Sequence, residues 1–146
     1  MTSPEQESSA LVLVESHQFT LQEIAESQGL DGSAPALGDR LVFETPYLYI
    51  VSPGEDHYPL VTLQQWSQEP APASTVWKHL GLFRVRLDGE EVEAWALTQG
   101  PSEARLTVTP GWYGLRVLCK GSEKLQGRAG GFPEGLEQYL LQLWPS

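Results

Sequence analysis

Apolar and polar positions alternate most regularly between Gly81 and Cys119. Phe83, Val85 and Leu87 alternate with Arg84 and Arg86, the period of two of a half-buried strand. Asp88-Gly89 follows, a two-residue hairpin signal, because both turn positions need positive φ. That loop sets Arg86 opposite Glu91, Val85 opposite Val92, Arg84 opposite Glu93 and Phe83 opposite Ala94. Opposite charges then share one face and apolar groups the other, each pair contributing roughly 0.2–1 kcal/mol. After Gly100-Pro101, Leu106 and Val108 point one way within Arg105–Thr109. After Pro110-Gly111, Tyr113, Leu115, Val117 and Cys119 share one side of Trp112–Cys119. The stretch predicts a four-strand antiparallel meander with one apolar face, and that face needs a second layer.

The flanks supply more strand patterns. Leu11–Glu15 and His17–Gln22 read as a strand bent near Ser16, or as two short strands. Ile24–Gly38, rich in Gly, Ser and Ala, reads as a loop. Arg40–Glu44 and Tyr47–Val51 are strands on either side of Thr45-Pro46, where proline demands a bulge or a sheet edge. Ser52–Asp56 is a turn carrying adjacent carboxylates, and Tyr58–Leu63 is a further strand. Gln68–Ser74 is an extended Pro/Ala connector, and Thr75–Leu80 is ambiguous. Lys120–Gly131 reads as a basic, glycine-rich loop. Phe132–Trp144 carries two patterns. Leu136, Tyr139, Leu140, Leu143 and Trp144 fit helical spacing behind Pro133. Leu141 breaks that stripe and Gly135 weakens the helix, so a strand buried on both faces fits Gln138–Trp144 as well. The pattern predicts an all-β, antiparallel β-sandwich of about eight to ten short strands with little helix. Residues 1–9 are expected to be a frayed or disordered tail, and 10–146 a single β-sandwich domain.

Composition narrows the class. The chain of 146 residues has no run of apolar residues long enough for a membrane helix. Its acidic, polar N-terminus is not a secretory leader, so a cytoplasmic protein is expected. The single cysteine, Cys119, leaves no internal disulfide, and its register places it on the core face as an inert thiol. Charge is lopsided. Residues 1–77 hold 11 acids and one base, a net of −10; residues 78–146 hold 8 of each, a net of zero. Phosphate tracking needs clustered Lys and Arg, so direct nucleic-acid binding is excluded and a basic protein partner is favoured.

Catalytic patterns are missing from the sequence. HExxH, paired CxxC, GxSxG, Walker and dinucleotide fingerprints do not occur, so an enzyme is not expected and no cofactor or metal is implied. His17, His57 and His79 are too far apart to suggest a local metal site. What remains is surface. Glu55 and Asp56 are adjacent carboxylates in a turn. Glu91 and Glu93 share the charged face of their strand with Trp95, and Trp112 shares a face with Arg116. Acids attract a basic partner and tryptophans anchor interfaces, so Glu55, Asp56, Glu91, Glu93, Trp95 and Trp112 are the candidate partner-binding residues. A rival reading is a module that stacks a carbohydrate or small ligand on Trp66, Trp95 or Trp112.

A family resemblance rests on short structural motifs over roughly half of the chain. His17-Gln18-Phe19-Thr20, preceded by the strand Leu11–Glu15, resembles the opening of the competence protein J family of bacterial nuclease inhibitors. A strand such as Leu82–Leu87 leading to an Asp-Gly turn continues the likeness. So do the Arg-led strand Arg105–Thr109, the step Pro110-Gly111-Trp112-Tyr113 and a final strand of the type Tyr139-Leu140-Leu141. Residues 24–81 and 121–136 show no such match. The resemblance implies a small β-rich cytoplasmic protein that blocks a non-specific, metal-dependent nuclease. It also tips Phe132–Trp144 towards strand. No inhibitory residue is carried over.

Overall fold

The computed structural model describes residues 3–126 and 131–146. Among these, eleven strands run in the order β1 (Gln6–Leu11), β2 (Gln18–Leu21), β3 (Ile24–Gln28), β4 (Leu41–Glu44), β5 (Tyr47–Val51), β6 (Tyr58–Gln65), β7 (Lys78–Leu87), β8 (Glu91–Ala96), β9 (Gly100–Thr107), β10 (Gly111–Lys120) and β11 (Glu134–Pro145). A 3-10 turn spans Ser122–Leu125. The strands form a six-stranded sheet, β1-β6-β11-β10-β7-β3, packed on a five-stranded sheet, β4-β5-β2-β8-β9. This is the all-β sandwich the sequence predicts, with more strands than expected. One neighbouring pair, β6 with β11, is parallel.

The predicted meander is not what forms. β7 and β8 do not pair: β7 lies between β10 and β3, and β8 between β2 and β9. Asp88-Gly89-Glu90 carries the chain from one sheet to the other. Alternation specifies which side chains point inward and leaves open which strand lies alongside. Phe83, Val85 and Leu87 still point inward, as do Val92 and Ala94, and all are fully buried. They meet across the core instead of along one sheet. The expected Arg–Glu pairs are therefore absent. Arg86 bridges Glu26 (Nη1–Oε2 3.3 Å) and Asp88 (Nε–Oδ1 3.1 Å). Arg84 lies over the Trp112 ring, 4.8 Å from its centroid. Glu91 and Glu93 are left on a different sheet from both arginines.

Two strands lie where none was expected. β3 runs through the predicted loop and pairs with β7; Ile24 is its one fully buried residue, so it shows little alternation. β1 begins at Gln6, inside the expected tail, although it is mostly polar. Its polar side chains serve the neighbouring sheet. Gln6 Nε2 donates to Thr107 O (2.6 Å), and Ser8 Oγ donates to Glu103 O (2.7 Å). Thr107 N and Arg105 N donate back to Gln6 Oε1 (3.2 Å) and Ser8 Oγ (3.2 Å). The open edge of β9 is thus satisfied by side chains, which protects it from pairing with another chain.

β11 resolves the conflict at 132–144 in favour of strand. Tyr139, Leu141 and Leu143 face the core, where Tyr139 meets Phe19 of the other sheet edge-on, ring centroids 5.0 Å apart. Gln142 and Trp144 face outward yet are also buried: the Arg116 guanidinium lies against both, and the strap of residues 66–77 bonds to Arg116 through Glu69 and Pro70. Arg116 holds this strap. Its Nη1 donates to Pro70 O (3.2 Å) and Gln142 Oε1 (3.2 Å), and its Nη2 pairs with Glu69 Oε2 (2.9 Å). Trp144 lies flat against β10; a Cβ at Gly114 would fall inside its indole. The predicted Pro/Ala connector is therefore a cover for the outer face of the six-stranded sheet. Part of the predicted basic loop, residues 127–130, lies outside the described residues.

Candidate partner-binding face and a buried polar cluster

Among the described residues no comparable strap covers the outer face of the five-stranded sheet. Register fixes what it displays. Val42, Tyr49, Thr20, Trp95 and Pro101 come abreast across all five strands. Beside that row runs a second, with Glu44 against Tyr47 and Glu93 against Arg105. Gln22 joins the second of these pairs, its N donating to Glu93 O (2.9 Å), and lines one cleft with Tyr47. Thr20, Gln22, Tyr47, Tyr49 and Trp95 line a cleft of about 330 Å³. Tyr47 and Tyr49 meet edge-on, centroids 6.0 Å apart. At one rim lies a second depression lined by Glu23, Glu90, Glu91 and Glu93. Trp95 Nε1 is shielded from solvent and has no acceptor among the described residues.

The six candidate residues do not form one surface. Glu91, Glu93 and Trp95 lie together on β8. Glu55 and Asp56 sit in the loop after β5, where Glu55 approaches His17 (Oε1–Nε2 3.6 Å). Trp112 is on the outer face of the other sheet beneath Arg84. Trp66 is on that side too, its Nε1 donating to Gln64 Oε1 (2.9 Å). The three tryptophans of the stacking-platform reading are thus divided between opposite faces. The N-terminal acids are dispersed as well. Glu26 and Glu69 bind arginines, and Glu15 accepts from Thr98 Oγ1 (2.5 Å). The sequence reading missed Tyr47, Tyr49 and Glu44. The signal was present: tyrosines at alternate positions of YLYIV point to one face while Leu48 and Ile50 fill the core.

A polar cluster is buried where the two sheets meet at 52–57 and 134–139. Glu137, fully buried on β11, accepts from Ser52 Oγ (2.8 Å) and Ser122 Oγ (2.5 Å) and pairs with Arg40 Nη2 (3.4 Å). Arg40 Nη2 also donates to Tyr139 OH (2.6 Å). Ser, His and Glu meet here, but in the reverse of a nucleophile–base arrangement. The Ser52 proton goes to Glu137, so His57 Nε2, 3.0 Å from Ser52 Oγ, must be the donor of that bond. A catalytic base would accept there, and the serine would be open to substrate. Ser52 and His57 are each only 1% exposed. Burial pushes the Cys119 thiol above its ordinary value and likewise raises the Tyr139 phenol.

His57 makes the fold sensitive to acid. Burial pushes its pKa below the ordinary 6.5; Glu137 opposes that shift and His17 adds to it. As pH falls below 6.5 the unfolded chain takes up a proton that the folded protein takes up only at lower pH. The unfolded state therefore holds more protons in that window. The contribution of neutral His57 is full above it and is lost as pH drops towards the folded value. Urea midpoints measured from about pH 7 down to about pH 5.5 should fall, and His57→Gln should flatten that fall. An unchanged slope in the variant refutes the assignment.

These features define the class: a two-sheet β-sandwich with a strapped face on one side and an uncovered aromatic, carboxylate-rimmed face on the other. The chain has the fold of ComJ from Bacillus subtilis, an inhibitor of the DNA-degrading activity of NucA. The two align over 100% of this chain and 99% of that one, with a TM-score of 0.60 and 10% identity. A crocagin biosynthetic gene J protein aligns over 97% of both chains, with a TM-score of 0.53 and 17% identity. At these identities the likeness is one of fold. No family model matches the sequence, and no curated protein matches it significantly.

Proposed function

We propose that this protein inhibits a nuclease by stoichiometric binding, using the outer face of the five-stranded sheet. The observation that carries the reading is that uncovered face, where an aromatic cleft lies among Glu23, Glu44, Glu90, Glu91 and Glu93. A groove that tracks DNA phosphates is basic, and a face of this charge competes for it. The ComJ fold supports the same class of partner. In this reading the protein acts without catalysis of its own, in the cytoplasm, on a non-specific, metal-dependent nuclease. Glu91, Glu93 and Trp95 belong to the contact; Glu55 and Asp56 lie outside this sheet face, and Trp112 does not contribute.

The test is a titration into a sugar-non-specific, metal-dependent endonuclease from the same organism. DNA cleavage should fall to zero at a fixed molar ratio. The half-inhibiting concentration should rise with salt, because screening shortens the reach of exposed charges to about 10 Å at 0.1 M. Undiminished cleavage at large molar excess would sink the proposal.

A further inference from the structure

We infer that the cleft between Trp95, Tyr47 and Tyr49 receives an arginine side chain presented by the partner; the partner's identity, though not the cleft's chemistry, rests on the nuclease-inhibitor reading. Electron-rich rings line the cleft, and ring faces attract cations. Glu44 stands beside Tyr47 on one flank, and Glu93 beside Gln22 on the other. Glu23, Glu90 and Glu91 extend the same sign along the rim, with Arg105 opposite Glu93 as the counter-charge on this face. An anionic ligand is repelled here and a cation drawn in.

The floor favours guanidinium over ammonium. Gln22 Nε2 donates to Thr20 Oγ1 (2.8 Å), which leaves the Gln22 side-chain carbonyl to accept. A planar fork of donors stacks on a ring while reaching that carbonyl and a flanking carboxylate; a point charge on a flexible stem does not. The protein already uses this pairing internally, with Arg84 over Trp112 at 4.8 Å and Arg116 over Trp144 at 5.4 Å. Trp95 Nε1 is a second, independent sign. It is a shielded donor without an acceptor among the described residues, a state native interiors rarely tolerate. The main-chain carbonyl of an incoming arginine supplies that acceptor once a neighbouring side chain shifts, as interface rotamers commonly do.

The probe is N-acetyl-arginine N-methylamide, added to the full-length ¹⁵N-labelled protein. Its lysine and citrulline counterparts serve as controls. The Trp95 indole signal is assigned by Trp95→Phe. That signal should shift and saturate with the arginine compound, bind the lysine compound severalfold more weakly, and ignore the neutral citrulline. Tyr49→Ala should abolish the shift with its thermal midpoint kept, and should raise the half-inhibiting concentration against the nuclease about tenfold or more. A signal that ignores arginine, answers equally to citrulline, or moves with maltotriose instead overturns the inference. If nuclease inhibition persists in Tyr49→Ala with a silent cleft, this inference falls and the inhibitor reading stands. Arginine binding by a protein that inhibits no nuclease gives the converse.

Discussion

Glu137→Leu should lower the unfolding free energy by about 3–5 kcal/mol, the usual cost of removing one partner from a buried charge pair. Arg40, with a side chain 16% exposed, would lose its carboxylate, and Ser52 and Ser122 would lose their acceptor. The urea midpoint at neutral pH measures this. A loss below about 1 kcal/mol, the range of exposed pairs, would show that water replaces the carboxylate. The double variant Arg40→Met, Glu137→Leu should recover most of the loss, because an apolar pair in place of a buried ion pair is often neutral or stabilising. The cluster also bears on function. Arg40 precedes β4 and Ser52 follows β5, so Glu137 ties the strands bearing Glu44, Tyr47 and Tyr49 to the opposite sheet. The double variant should therefore restore stability more fully than inhibition, since apolar contacts fix these strands less directionally than hydrogen bonds.

The sequence was most legible where one strand's own pattern decides the outcome. Alternation in Phe83–Leu87 and Trp112–Cys119 places their inward residues correctly, including Cys119 at 1% exposure. Pairing was not legible. Asp88-Gly89 satisfies a hairpin and a crossing between sheets alike, and the complementary signs of Arg84, Arg86, Glu91 and Glu93 made the wrong neighbour look right. β1 was hidden for another reason: Gln6 and Ser8 earn their place by bonding the main chain of β9, a role that leaves no apolar trace. The same limit applies to the site. Trp95 with Glu91 and Glu93 could be read from one strand. Tyr47 and Tyr49 join them through β2, and only the order β5-β2-β8 brings the three strands together. Trp112 faces outward as its alternation predicts, but whether it shares a face with Trp95 depends on which sheet takes β10, and that was not legible. Glu137 gave no warning at all. It occupies a core position of a strand whose neighbours on that face are apolar, and its partners come from residues 40, 52 and 122.

Arg116→Met should cost about 2–3 kcal/mol, through lost bonds to the strap more than through lost charge. Two effects must be separated here. Glu69 is 52% exposed, so its pairing with Arg116 is screened, and Glu69→Gln should cost no more than about 1 kcal/mol. Pro70 O and Gln142 Oε1 are different, because Arg116 Nη1 reaches them at buried positions. Without it they lose a charge-assisted donor, and such bonds contribute roughly 1.5–3 kcal/mol. The Arg116 guanidinium also lies over the Trp144 ring, a cation–π contact that methionine does not reproduce. Limited proteolysis within 67–77 should accelerate in Arg116→Met and barely change in Glu69→Gln, while Arg116→Lys falls between them. Equal effects in the two variants would assign the strap to the ion pair and contradict this account. Inhibition per folded molecule should survive Arg116→Met, because the strap and the proposed contact lie on opposite outer faces. A parallel loss of inhibition would move the contact to the six-stranded sheet, where Trp112 and Trp144 lie.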